Sequence, residues 1–172
     1  MTTSLDIPLP LDHTVTMPTA NHITIRSAGQ NDVSTILKFI HDIAAFEKLS
    51  DQVVNNEQLL RAHLFGPHPA AECFLAEDKG KPIGFAITFR TFSSFTGRVG
   101  LWLEDLYIDE AYRRQGIGQK FLRYLRDLAQ KRGHTRFEWT ALKWNQAAID
   151  LYLDEGATMM DEWTTFRIDL EP

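Results

Sequence analysis

One run of residues restricts the architecture more than any other: Asp109-Glu110-Ala111-Tyr112-Arg113-Arg114-Gln115-Gly116-Ile117-Gly118. Before it lies an apolar segment, Leu101 to Ile108, that reads as a strand. After it, from Gln119 to Arg132, Phe121, Leu122, Leu125 and Leu128 recur with the period of a helix. Strand, tight glycine turn and helix start make an anion cradle, because the first helical N–H groups lack partners within the helix and converge on one point. Gly116 and Gly118 carry no Cβ, so a bulky phosphate can approach the main chain. Arg113 and Arg114 add positive charge at the mouth.

The order of residues narrows the phosphate ligand. Arg-x-x-Gly-x-Gly supplies no Lys and hydroxyl for a nucleoside triphosphate and its Mg²⁺, and no glycine stands three residues after Gly118, as a dinucleotide fingerprint requires. The bland alternative is an ordinary strand-to-helix turn with surface arginines. The whole string, with its flanking elements, resembles the acetyl-CoA pyrophosphate loop of the GNAT acetyltransferase superfamily.

Size and charge set further bounds. At 172 residues the chain suits one domain with a real core. A net charge of −5 argues against nucleic acid as partner and suits a cationic substrate. Cys73 is the single cysteine, so no intrachain disulfide forms and a reducing compartment, the cytoplasm, is expected. It stands in the apolar run Cys73-Phe74-Leu75-Ala76, as a buried structural thiol would. No apolar run is long enough to span a bilayer. Six scattered histidines lack paired ligand spacing, so no metal site is expected. Residues 1–20, with Pro8, Pro10 and Pro18 and no periodicity, read as a flexible leader before a single domain over residues 21–172.

His22 to Arg26 alternates as a first strand. Asn31 is placed to cap a helix bearing Val33, Ile36, Leu37, Ile40 and Ile43, and Asn56 to Phe65 reads as a second helix ended by Gly66-Pro67. Glu72 to Glu77 and Ile83 to Phe92 read as strands joined through Asp78-Lys79-Gly80, and Val99 to Ile108 as a long strand. After the glycine turn and its helix come a strand at Phe137 to Leu142, a helix at Asn145 to Glu155, and a closing hairpin using Met159 and Trp163 to Leu170. The expectation is an α/β (α+β) fold, a mixed central sheet of about seven strands flanked by about four helices, in the order of the GNAT topology.

Two adjacent carboxylates, Glu104 and Asp105, interrupt the long strand. Charged groups there are costly to desolvate and have a partner or a task. Neighbours in a regular strand face opposite sides, so both reach one pocket only across a bulge, which GNAT-like proteins have here. Asp105 is read equally as a structural hydrogen-bond acceptor. Tyr152, in register with Ala148 and Ile149, is by spacing a core aromatic.

From Ile23 to Leu170 the chain is similar to the diamine acetyltransferases, the spermidine/spermine and thialysine branch of that superfamily. The matching blocks are Phe46-Glu47, Gln52-Val53, Leu64-Phe65-Gly66, Leu103-Glu104-Asp105, Arg113 to Gly118, Trp144-Asn145 and Trp163. The resemblance implies acetyl-CoA-dependent N-acetylation of a small primary amine by direct transfer in a ternary complex. It implies that Leu106, Tyr107 and Ile108 contact the acetyl and pantetheine arm, that Arg113, Arg114, Gln115, Gly116, Ile117, Gly118 and Gln119 hold the pyrophosphate, and that Asn145 contacts CoA. Tyr152 becomes the general acid, and Glu104 binds and deprotonates the amine, with Glu47, Asp105 and Trp163 beside the substrate. A homodimer is implied as well.

Departures bear on the substrate. Phe46 replaces a tyrosine of the polyamine-acting relatives, Thr91-Phe92-Ser93-Ser94-Phe95 lacks their loop aspartate, and Leu153-Asp154-Glu155 replaces basic residues that would meet a CoA phosphate. A less acidic pocket favours a short amine over a long polycation. The competing readings are acetylation of a protein lysine or N-terminus, and a non-catalytic acyl-CoA-binding module.

Overall fold

A computed structural model describes residues 22–170; the leader expected over residues 1–20 lies outside them. Among these residues are five strands and four α-helices, an α/β arrangement: β1 (Ile23–Ser27), α1 (Val33–Glu47), α2 (Glu57–Phe65), β2 (Glu72–Asp78), β3 (Lys81–Ser93), β4 (Arg98–Ile108), α3 (Ile117–Lys131), β5 (Phe137–Trp139) and α4 (Gln146–Asp154). The sheet runs β1-β2-β3-β4-β5, antiparallel except for the last pair, which is parallel. Helices cover both faces. Ile36, Phe39, Leu60 and Leu64 of α1 and α2 pack against Leu75, Phe85 and Ile87 on one side. On the other, Phe121, Leu122 and Leu125 of α3 pack against Phe74, Ala86, Leu101 and Leu103, with Leu151 and Tyr152 of α4 at the margin.

Local signals explain most boundaries. Asn56 caps α2, its Oδ1 accepting from the Leu59 N–H at 3.0 Å. Asn31 does not cap α1: it lies inside a 3₁₀ turn (Gln30–Asp32), and α1 continues directly from Asp32. Asp32 is held instead by Arg26, which also binds Glu77 of β2. The β2–β3 hairpin turns through Lys79 and Gly80, both at positive φ (49° and 82°), as a tight two-residue turn demands.

The expected closing hairpin is not formed, so the sheet has five strands where about seven were anticipated. Met159 to Leu170 has no strand, and Trp163, Phe166 and Ile168 are 73%, 90% and 87% exposed. Strand pairing needs a partner edge, and an isolated two-stranded ribbon is marginal in water. The adjacent β5 is itself only three residues long and offers little edge on which to build.

Candidate active site

The site originates in a defect of β4. Ile87 pairs with Asp105 and Thr88 with Leu103, so Glu104 is an extra residue with no counterpart on β3. A bulge shifts the pleat by one position. Leu101 and Leu103 before it, and Leu106 and Ile108 after it, all pack toward α3, while Tyr107 packs toward α1. Just beyond, β4 and β5 separate. Their pairing covers only Leu101–Leu103 against Phe137–Trp139, so β4 from Glu104 onward has no strand neighbour on its β5 side. A cleft of about 890 Å³ opens there.

Leu106, Tyr107 and Ile108 line the cleft along β4. Arg113, Arg114, Gly116, Ile117, Gly118 and Gln119 form one wall; Trp139, Asn145, Leu151 and Tyr152 stand on the other. Phe46 and Glu47 reach it from the end of α1, and Glu104 from the bulge. Gln115 is not among the lining residues; its amide donates to the Ala111 carbonyl at 3.3 Å. Trp163 is not brought to the cleft either, lying in the exposed tail. Asp105 shares the α1-facing side with its partner Ile87 and with Tyr107, and does not line the cleft.

The loop suits an anion. Gly116 stands at φ 75° immediately before α3, Arg114 at φ 59°, and no side chain caps the helix. Its first-turn N–H groups are therefore available to a phosphate. Arg113 is committed inward: its Nε donates to the Ile108 carbonyl at 3.0 Å, and its guanidinium lies 4.6 Å from the Phe46 ring and 5.3 Å from Tyr107. Asn145 caps α4 through Oδ1, accepting from the Ala148 N–H at 3.3 Å, so its side-chain NH₂ is what it can offer a cofactor. The Gln119 amide donates to Glu155 at 2.5 Å, and Arg123 binds the same carboxylate. Glu155, one of the residues standing where basic ones were expected, thus ties the end of α4 to α3.

The ionisable groups influence one another. Burial raises the Glu47 carboxyl above its ordinary range. Burial, and then the charges of Glu104 and Glu47, raise Asp105 to about 6. Burial, followed by the Glu47 charge, pushes the Tyr152 phenol above 10, so it is protonated at neutral pH. Its ring meets Trp139 edge-on at 5.2 Å, which fixes its orientation. Arrayed this way, the cleft presents a proton donor, carboxylates able to attract an ammonium, and a phosphate cradle. Cys73 does not line the cleft: it is buried, and burial pushes its thiol up to about 12.

Residue composition missed two aromatic contacts. Trp144 packs on Phe46 with centroids 5.6 Å apart, joining the end of α1 to the loop before α4. Trp139 was readable as an alternate position in Phe137-Glu138-Trp139 but had no sequence neighbour to assign it a task. The bulge did leave a trace, since the apolar phase slips from odd positions (Leu101, Leu103) to even ones (Leu106, Ile108).

A profile of the acetyltransferase (GNAT) family matches residues 37–156, and the chain belongs to that family. It is an N-acetyltransferase. Among its relatives, the thialysine N-epsilon-acetyltransferase of Sus scrofa is 38% identical over 87% of this chain and 94% of its own length. The L-ornithine N5-acetyltransferase of Arabidopsis thaliana is 29% identical over 89% and 88%. In fold, the chain is similar to a metagenomic aminoglycoside acetyltransferase crystallised with trehalose, with a TM-score of 0.75 at 19% identity, covering 88% of this chain and 99% of the other.

Proposed function

We propose that the chain transfers the acetyl group of acetyl-CoA directly to a small primary amine of the thialysine, ornithine or diamine kind. One observation carries this reading: a single cleft contains the uncapped start of α3, the protonated Tyr152 and the carboxylates of Glu47 and Glu104. Relatives named for thialysine and L-ornithine support a short, charged amine.

Bound acetyl-CoA supplies an activated thioester. The loop N–H groups from Gly116 to Gln119 with Arg114 would hold its pyrophosphate, and the unpaired edge of β4 at Leu106 to Ile108 would hold its arm. Glu104 attracts the ammonium and takes up its proton, directly or through water; an unperturbed lysine-like amine, pKa about 10.4, is otherwise mostly protonated at neutral pH. Tyr152 gives its proton to the departing sulfur as the new amide forms. Such proton transfers are each worth about 10²–10⁴-fold in rate. The test is release of free CoA across a panel of short amines, polyamines and protein substrates; turnover confined to protein lysines would overturn the reading.

The same reading includes a homodimer. Met159, Met160, Trp163, Phe166, Ile168 and Leu170 are 56–90% exposed, an apolar stretch that a second copy would cover. Sedimentation that gives only monomer at assay concentrations would remove this part.

A further inference from the structure

Glu104 occupies an awkward place for a residue that must aim a charge. As the extra residue of the bulge it has no cross-strand counterpart, and it is exposed. A glutamate with three rotatable bonds on such a backbone would spread its carboxylate over many positions. Trp102 supplies what the backbone does not. Its indole N–H donates to Glu104 Oε2 at 3.0 Å.

Trp102 is well placed to hold something else in position. Its backbone lies in the part of β4 paired on both sides, opposite Phe89 of β3 and Glu138 of β5. Its ring rests against Phe89, centroids 6.1 Å apart. The rigid three-stranded section thus ends one residue before the bulge, and the indole reaches across that boundary to the carboxylate. An indole N–H is a donor only, so the contact selects a carboxylate oxygen and leaves Oε1 for the amine. A hydrogen bond to an ionised acceptor is also stronger than one between neutral groups.

We propose that Trp102 is a positioning residue for amine acetylation, fixing Glu104 at the substrate ammonium through its indole N–H. This rests on the role of Glu104 given above. Trp102→Phe retains the ring against Phe89 and removes only the donor. The amine kcat/KM should fall roughly threefold to tenfold, the size expected for one partly exposed hydrogen bond to a charge, mainly through the amine KM. The acetyl-CoA KM and Tm should stay at their wild-type values.

A double-mutant cycle separates positioning from packing. In a Glu104→Ala background, assayed at raised enzyme concentration, Trp102→Phe should produce no further loss. An undiminished loss there, or an equal loss for both substrates, would overturn the proposal. If Glu104→Ala cripples amine use while Trp102→Phe matches wild type, the Trp102 proposal falls alone. If Glu104→Ala leaves amine use unchanged, the role of Glu104 falls, and Trp102's with it.

Discussion

Asp105→Asn should make the protein more stable at neutral pH, progressively less so in acid, and a poorer user of amines only where the wild-type carboxyl is ionised. Asp105 lies on the face of β4 that packs toward α1, where burial and the charges of Glu104 and Glu47 raise its pKa from 3.8 to about 6. A carboxyl whose folded pKa exceeds its unfolded one disfavours the native state once it must ionise. Its contribution is intact below the unfolded value, near 4, and is lost as pH rises through about 6. The shift corresponds to a penalty of about 3 kcal/mol at pH 7 and about 1 kcal/mol at pH 4.5. Asn keeps the shape and cannot ionise, so it escapes both. For a chain of this length each kcal/mol moves Tm by roughly 2–4 °C, which makes the gain about 6–12 °C at pH 7, shrinking to a few degrees at pH 4.5. Thermal unfolding followed by circular dichroism at the two pH values reads this directly. A gain of equal size at both, or a loss at pH 7, would refute the electrostatic argument. Saturating amine should raise the wild-type Tm more than the variant's, because a bound ammonium relieves the repulsion that Asn lacks.

Tyr152→Phe removes only the hydroxyl and should lower kcat by about 10²–10⁴-fold with little change in either KM. Because burial and Glu47 hold the phenol above its usual range, the alkaline limb it causes is displaced upward and should flatten in the variant; full kcat with chemistry rate-limiting would make Tyr152 a core aromatic. Gly118→Val introduces a branched side chain at the start of α3, where an added Cβ would lie 3.4 Å from Leu151 Cδ2. It should weaken acetyl-CoA binding by calorimetry more than it lowers Tm, and unchanged binding in a folded variant would remove the loop from the site.

Local information in the sequence was enough for the glycine turn between strand and helix, the Asn56 cap and the helices, though not for the start of α1, where Asn31 lies inside a 3₁₀ turn. Gly116 and Gly118 stand between an apolar strand and a helical stripe, Asn56 precedes its helix, and the Asn145 helix carries Tyr152; each depends on residues within a few positions of one another. Tertiary structure decided where the pieces meet. Glu104 and Asp105 are adjacent in sequence, yet only the register against β3 sends one to the cleft mouth and the other beneath α1. The cleft exists because β5 accompanies β4 for three residues and then departs, a fact of strand pairing that no short window contains. The contacts of Trp144 with Phe46 and of Glu155 with Gln119 and Arg123 join residues far apart in the chain. The closing segment shows the same dependence in reverse: its alternation is that of a strand, but a strand needs an edge, and the edge strand β5 is only three residues long.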